Sequence, residues 1–124
     1  MMTLTPDLFA GVNAPLDPAN LTDLEKRHLP VITAPETVKA GEFFEVTVEV
    51  GRLLPHPSER AHFIHVIELY AGPVALASFS PTAVTTSPIL KASVRLSKNL
   101  GPLRAREACN LHGIWEATKD VAVL

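Results

Sequence analysis

The sequence predicts an all-β protein, an antiparallel sandwich or barrel that follows an irregular N-terminal segment. Three observations support this: short runs in which apolar and polar residues alternate, turn residues between these runs, and a composition typical of a folded domain. The chain has 124 residues, 47% of them hydrophobic, and a formal net charge of −2. That length suits one domain with a core of its own.

The N-terminal segment contains many turn-forming residues, namely Pro6, Gly11, Asn13, Pro15 and Pro18. Such a pattern is too interrupted for a regular element. We therefore assign residues 1–24 to an N-terminal extension and residues 25–124 to the sandwich. At this boundary Thr22 and Glu25 have the spacing of a capping box, and Pro30 follows, which predicts one or two helical turns.

The clearest strand is the run FFEVTVEV, which ends at Gly51. Its apolar face is formed by Phe44, Val46, Val48 and Val50. The run ILKASVRLS has the same alternation, with an apolar face formed by Leu90, Ala92, Val94 and Leu96. The runs HFIHVIELY, VALASF, LRAREAC and WEATKDVAVL are separated by Pro, Gly, Ser or Asn, the spacing expected of an antiparallel sandwich or barrel.

The charge pattern argues against some classes of partner. Positive and negative residues are balanced and no basic run occurs, so we expect neither nucleic acid nor an anionic membrane surface as a partner. The N-terminus has no basic residues ahead of an apolar stretch, and no run has the length of a membrane span. One cysteine cannot close an internal disulfide, which is compatible with a reducing compartment, and a cytoplasmic location is the default.

The chemistry of the chain depends on its five histidines and its one cysteine, Cys109. Four of the histidines, His28, His56, His62 and His112, fall in loops or at strand ends, where a sandwich usually carries its site. Alone, each would be read as a polar turn residue, and the cysteine as a small buried apolar residue. Their combination predicts a metal site.

The donor types limit the metal. A structural zinc site usually draws on pairs of cysteines, whereas a histidine-rich site with one thiolate suits iron or copper. A blue-copper sandwich is one alternative, with a methionine as axial ligand. The only methionines are Met1 and Met2, far from Cys109, and that alternative leaves two histidines unused.

Three motifs in order, EKRHLPVI, VGRLLPHPSERAHFIHVIELY and CNLHGIWE, resemble the superoxide reductases, specifically neelaredoxin and the iron domain of desulfoferrodoxin. The resemblance covers about residues 25–123. It implies a seven-stranded immunoglobulin-like sandwich that holds one mononuclear iron by four equatorial histidines and one axial cysteine. Matched position by position, the ligands are His28, His56, His62, Cys109 and His112.

The resemblance also implies an activity, the one-electron reduction of superoxide to hydrogen peroxide. An external donor, such as rubredoxin or another small redox protein, would then restore ferrous iron. Relatives form dimers or tetramers, so we expect a homo-oligomer. His65, three residues beyond His62, is interpreted as a non-ligand, and Trp115 as a core residue near Cys109. Backbone N–H groups of Asn110 and Leu111 are candidates to donate to the thiolate.

The first motif departs from the pattern of the family. Many relatives read Glu-Lys-His, in which the lysine places a positive charge near the open coordination position and the glutamate occupies that position after oxidation. Here the order is Glu25-Lys26-Arg27-His28. Either Lys26 or Arg27 therefore has the cationic role, unless both belong to a solvated turn. Glu25 is either a sixth ligand or only a helix cap.

Two further functions are compatible with the same fold. One is a non-catalytic electron carrier or metal-binding module, of which the cupredoxin-like protein is the chief form. The other is a partner-binding sandwich without any metal. Metal analysis and an absorption spectrum of the oxidised protein distinguish these alternatives from an iron-dependent reductase.

Overall fold

The computed structural model of the protein describes residues 7–124. Within this range the chain forms one helix and ten strands. In chain order they are β1 (Val12–Asn13), α1 (Asp23–His28), β2 (Pro30–Thr33), β3 (Thr37–Val38), β4 (Phe43–Val50), β5 (Ile64–Ala71), β6 (Val74–Phe79), β7 (Ile89–Arg95), β8 (Leu103–Cys109), β9 (Gly113–Lys119) and β10 (Ala122–Val123). The predicted all-β class is confirmed.

Two sheets form the sandwich. One has the order β1-β9-β8-β5-β6 and the other the order β2-β4-β7, while β3 pairs with β10. The pairings within the two main sheets are antiparallel except for β1 with β9, and β3 with β10 is also parallel. The run WEATKDVAVL, predicted as one strand, is divided between β9 and β10.

The core lies between the sheets because alternation sends one face of each long strand inward. On β4 the inward residues are Val46, Val48 and Val50, all buried, as the sequence predicts. On β8 the inward residues are Leu103, Ala105, Glu107 and Cys109. Cys109 thus belongs to the same buried layer as the apolar core, at the end of its strand.

Helix α1 begins as predicted. The Thr22 side chain accepts from the backbone N–H of Glu25, and the Glu25 side chain accepts from the backbone N–H of Thr22, which completes a capping box. The helix ends at His28, directly before Leu29 and Pro30. It has six residues, and no helix in the described part of the chain is long and apolar enough to cross a bilayer.

The N-terminal extension is more ordered than its sequence predicts. Val12 and Asn13 form β1 beside β9, and the Asn13 side-chain amide donates to the carbonyls of Leu8 and Ile114, at 2.8 Å each. The expectation of no regular element is wrong here because these long-range bonds hold a segment with little local preference. The part of the extension formed by residues 1–6, with both methionines, lies outside the described residues. The division at residue 24 stays a prediction.

Substitution of Gly113, the first residue of β9, tests this packing. Gly113 has a φ of +81°, and a Cβ there would lie 2.2 Å from the Leu8 carbonyl oxygen. We expect Gly113→Ala to lower the free energy of unfolding of the metal-free protein by about 2 kcal/mol or more, measured by urea denaturation. Gly41→Ala is the control, because Gly41 has a φ of +80° with open space around it. Equal losses in both variants would show that the contact with Leu8 has no influence.

Candidate metal centre

The predicted ligands are brought to one end of the sandwich by strand pairing. Pro30, which opens β2, pairs with Val50, which closes β4. Ile64, which opens β5, pairs with Cys109, and Cys109 pairs with Gly113. The ends of α1, β4 and β8 therefore meet the beginnings of β2, β5 and β9.

Four imidazole rings form a closed circuit at this end. Ring centroids are 4.8 Å apart for His28 and His56, 4.8 Å for His56 and His62, 5.1 Å for His62 and His112, and 4.8 Å for His112 and His28. Neighbouring rings meet at steep angles, between 58° and 84°. Rings that stand edge to face in this way can direct their nitrogen atoms at a common point.

The donor atoms of His28, His62, Cys109 and His112 all lie within 4.8 Å of one another. First-row metals bind nitrogen and sulfur at about 2.0–2.3 Å, so two ligand atoms on opposite sides of an ion are about 4–4.6 Å apart. These four residues are thus within a small adjustment of sharing one ion. His56 lies outside this set, although its ring contacts those of His28 and His62.

Backbone carbonyls fix the tautomers of two rings. Nδ1 of His28 lies 2.7 Å from the Leu24 carbonyl oxygen, and Nδ1 of His56 lies 2.7 Å from that of Pro57. A carbonyl oxygen only accepts, so each Nδ1 carries the proton and each Nε2 carries a lone pair. Such an outer hydrogen bond is the usual support of a metal-binding histidine.

The Nε2 atoms of His28, His56 and His62 are buried and have no hydrogen-bond partner within residues 7–124. Burial of an unpaired polar atom costs free energy, and three such atoms on neighbouring rings are the strongest indication that these residues can bind a cation. Burial also lowers the pKa of His28 and of His56 to about 4. Both rings are therefore neutral at physiological pH and their lone pairs are available, so the residues present fit a metal ion.

The sulfur of Cys109 completes the cluster, 3.7 Å from Nδ1 of His112. Burial raises the pKa of the thiol, while the backbone N–H groups of Leu111 and His112 act in the opposite direction. Formation of the predicted thiolate therefore depends on a bound cation that displaces the proton of the Cys109 thiol. The prediction that Asn110 also donates to the sulfur is wrong, because its N–H donates to the Phe63 carbonyl at 3.3 Å.

Asn110 has a different role, which the sequence did not reveal. Its side-chain oxygen accepts from the backbone N–H of Phe63, and its side-chain amide donates to the Ala61 carbonyl, both at 2.9 Å. These bonds fasten the turn that carries Cys109 to the segment that carries His62. The available signal was an asparagine in a turn directly after the cysteine, since asparagine readily bonds to backbone groups.

Trp115 lies beneath the site and is 2% exposed. Its ring stacks on that of His28 with centroids 5.3 Å apart, and its Nε1–H donates to the His112 carbonyl at 3.0 Å. It therefore packs against two of the clustered residues. His65 is exposed on β5 and is not part of the cluster.

The three residues that precede His28 in the first motif, Glu25, Lys26 and Arg27, differ in their contacts. Both carboxylate oxygens of Glu25 accept backbone N–H groups, from Thr22 at 2.8 Å and from Leu16 at 3.0 Å, and these bonds lower its pKa. Arg27 donates from Nη1 to the Pro55 carbonyl at 2.6 Å, and Lys26 is half-buried. The roles of Glu25 as a ligand and of Lys26 or Arg27 as the nearby cation stay predictions.

Glu107 is a second residue that sequence reasoning missed. It is 0% exposed, on β8 two positions before Cys109. Both carboxylate oxygens lack a hydrogen-bond partner among the described residues, and burial raises its pKa to about 9. The signal was in the alternation of LRAREAC, which places this glutamate on the inner face.

Within the described residues these features define a class of protein, a small β-sandwich with a cluster of imidazole and thiol donors that could hold a metal ion. Such donors select transition metals rather than calcium or magnesium. Comparison with known proteins leads to the same class. Residues 20–118 match the desulfoferrodoxin family.

Individual relatives support the match. The chain is 43% identical over 103 residues to a superoxide reductase homologue of Methanocaldococcus jannaschii, covering 81% of this chain and 86% of the relative. It is 34% identical over 109 residues to the superoxide reductase of Pyrococcus furiosus, covering 73% and 85%. The structure of the superoxide reductase (neelaredoxin) from Ignicoccus hospitalis superposes with a TM-score of 0.72 at 42% identity, covering 78% of this chain and 81% of that one.

The chain belongs to the superoxide reductase family, a family of oxidoreductases, and the prediction made from its three motifs is confirmed. The immunoglobulin-like sandwich implied by that resemblance is confirmed as well. The assignment covers most of the chain, including every residue of the cluster.

The buried carboxyl of Glu107 generates a prediction about pH. With a pKa near 9 when folded and about 4.5 when unfolded, the folded state binds the additional proton between these values. Stability of the metal-free protein therefore decreases as pH rises through this range. In Glu107→Gln this loss is absent, so the difference in unfolding free energy between variant and wild type should grow by up to about 1.4 kcal/mol per pH unit.

Urea denaturation of the metal-free protein between pH 5.5 and 8.5 measures this difference. Glu45→Gln is the control, because Glu45 is an exposed residue of β4. The three histidines whose pKa is lowered by burial, His28, His56 and His112, affect wild type and variants alike, so their contributions cancel in the comparison. Parallel pH curves for wild type and Glu107→Gln would contradict the prediction.

Proposed function

We propose that the chain is an iron-dependent superoxide reductase. One mononuclear iron would be held by His28, His56, His62, His112 and Cys109, and superoxide would be reduced by one electron to hydrogen peroxide. The observation that supports this most is the convergence of imidazoles and one thiol, with three buried Nε2 atoms that lack a partner among the described residues. Membership in the superoxide reductase family supports the choice of metal and substrate.

The chain contributes the electronic setting of the metal. Neutral imidazoles leave the charge of a divalent ion undiminished, which attracts an anionic substrate. The thiolate of Cys109 donates electron density, and the backbone N–H groups of Leu111 and His112 adjust how strongly it does so. Ferrous iron held by these residues would supply one electron to superoxide and become ferric, and two protons from solvent would complete hydrogen peroxide.

The cationic role falls to Lys26 in this proposal. Arg27 is engaged with the Pro55 carbonyl at 2.6 Å, whereas no hydrogen bond of the Lys26 side chain is found among the described residues. Lys26 directly follows Glu25 of the capping box and is two residues from His28. Its ammonium would draw superoxide towards the site, while Glu25 stays a helix cap until its two backbone bonds break.

The rest of the reaction cycle needs partners. We propose a small redox protein, such as a rubredoxin, as electron donor, and a homodimer or homotetramer as the assembly. Because the chain has one cysteine, a second iron centre with several thiolates is not part of the proposal. The rival function, an electron carrier on the same site, would transfer electrons without consuming superoxide.

Pulse radiolysis of the iron-loaded protein is the test of this function. Superoxide generated in the pulse should oxidise one ferrous iron per molecule and yield one hydrogen peroxide, with no release of dioxygen. An electron carrier would show no such reaction. Stoichiometric copper with no affinity for iron would favour the cupredoxin-like alternative instead.

Substitution of Cys109 tests the sulfur ligand. Cys109→Ser should remove the thiolate-to-iron charge-transfer absorption of the oxidised protein and lower the rate with superoxide by at least about tenfold, since serine is a poor substitute for a thiolate. Absorption spectra and pulse radiolysis give the two readouts. Ser93→Ala, on β7, is a control outside the cluster. A retained absorption band would argue against ligation by sulfur.

Substitution of Lys26 tests electrostatic attraction of superoxide. Lys26→Ala should lower the second-order rate constant by a few-fold at low ionic strength and weaken its dependence on salt, because exposed charges are screened over about 10 Å at 0.1 M. Lys39→Ala is the matched control, since Lys39 is exposed and precedes β4 at the far end of that strand. Equal rates and salt dependence in wild type and Lys26→Ala would remove this role.

A further inference from the structure

The connection between β4 and β5, residues 51–63, carries two of the five clustered residues and has no strand of its own. Connections of this length are uncommon in compact domains unless they are functional. Such a segment has many accessible conformations, so the position of its side chains depends on a few attachments. His56 lies near the middle of the connection, so its position depends on the attachments of the residues around it.

The end of the connection is attached firmly. Asn110 binds the backbone of Ala61 and Phe63 through its side chain, and Glu59 pairs with His62. His62 therefore sits in an anchored segment next to β5. The segment around His56 is attached by single bonds, one of which joins Ser58 Oγ to the Val84 N–H at 3.0 Å. His56 is also the ring whose donor atoms fall outside the tight set of four.

One side-chain hydrogen bond crosses from α1 to the segment around His56. Arg27, in the last turn of α1, donates from Nη1 to the carbonyl of Pro55 at 2.6 Å. Its neighbour in the helix is His28, whose ring lies 4.8 Å from that of His56. The two ends of this bond are thus the residues directly beside two members of the cluster.

We propose that Arg27 is a positioning residue for the metal centre. Arg27 holds His56 against His28 through its bond to the Pro55 carbonyl. The proposal rests on the ligand set given under the proposed function. Arg27 is the additional residue of the first motif. In this proposal Arg27 supports the structure of the site, and the cationic role belongs to Lys26 alone.

The local backbone transmits this restraint to the ring. Pro55 and Pro57 have fixed φ angles, and a residue that precedes proline is confined to extended conformations. The His56 ring is fixed in turn by the bond from its Nδ1 to the Pro57 carbonyl. The Pro55 carbonyl and the His56 nitrogen belong to the same peptide group. A displacement of this carbonyl therefore moves His56 and its ring together.

Arginine suits this task. Its guanidinium is planar and permanently charged, and its hydrogen bonds to oxygen acceptors are stronger than those of a neutral donor. Loss of a hydrogen bond made directly to a metal ligand typically costs 10- to 100-fold in metal affinity, and the bond of Arg27 acts one residue away, on the Pro55 carbonyl. Because this bond is exposed, we expect the lower end of that range.

The sign of the effect separates this role from a purely electrostatic one. Removal of a positive charge near a divalent cation strengthens the binding of that cation. Loss of the bond to Pro55 weakens it. A change in Fe²⁺ affinity on Arg27→Ala therefore has opposite signs under the two explanations.

The experiment is a competition titration of the anaerobic, full-length protein with Fe²⁺ and a chelator. Arg27→Ala should bind Fe²⁺ about tenfold more weakly than wild type. Arg52→Ala is the matched control, since Arg52 is an exposed arginine at the start of the same connection, and it should bind as wild type does. The ligand-field spectrum of the Arg27→Ala complex should also shift.

A double-mutant cycle shows whether Arg27 acts through His56. In a His56→Ala background, Arg27→Ala should cause no further loss of Fe²⁺ affinity. Unchanged or tighter Fe²⁺ binding by Arg27→Ala, or the same tenfold loss with and without His56, would overturn the proposal. Failure of wild type itself to bind one Fe²⁺ would instead overturn the proposed function, so the two failures are distinguishable.

Discussion

The structure at this end of the protein depends on one constraint, the burial of imidazole nitrogen atoms that have no hydrogen-bond partner. The Nε2 atoms of His28, His56 and His62 are shielded from solvent, and those of His28 and His56 carry lone pairs because Nδ1 of each ring bonds to a carbonyl. In a metal-free chain this arrangement is costly, since each unpaired polar atom gives up its bonds to water. A cation at the point where the rings converge would become the partner of these nitrogen atoms, and the free energy of metal binding would offset the cost of their burial.

The surrounding elements keep the rings directed at that point. Carbonyls of Leu24 and Pro57 fix two tautomers, and Trp115 packs on His28 while bonding to the His112 backbone. Asn110 fastens the cysteine turn to the neighbouring connection. The sandwich therefore works as a rigid frame, and the site is built where strand ends from both sheets meet, which is consistent with the general preference for rigid supports beneath reactive loops.

Much of this could be predicted from the sequence because the signals are local or ordered. The runs FFEVTVEV, VALASF and LRAREAC correspond to β4, β6 and β8 residue for residue. For β4 and β8 the reason is that alternation directly specifies a strand with one buried face, whereas β6 was bounded by turn residues. The capping box at Thr22 is likewise a local pattern. The five candidate ligands came from three motifs in order, which carry more information than any single spacing.

What the sequence did not reveal depends on contacts between distant segments. The bonds from Asn110 to the connection before β5, from Arg27 to Pro55 and from Asn13 to β9 join residues far apart in the chain, and no local preference specifies them. The buried carboxyl of Glu107 was visible in the alternation of its strand. It was missed because a charged residue on an inner face contradicts the usual pattern.

The central claim is that four imidazoles and one thiolate of this chain share a single iron ion. X-ray absorption spectroscopy of the protein loaded with one equivalent of Fe²⁺ tests it most directly, because the fine structure counts nitrogen and sulfur neighbours of the metal. The account predicts one sulfur and four imidazole nitrogens bound to iron. A first shell without sulfur, or with imidazoles too few to include the four clustered rings, would contradict it.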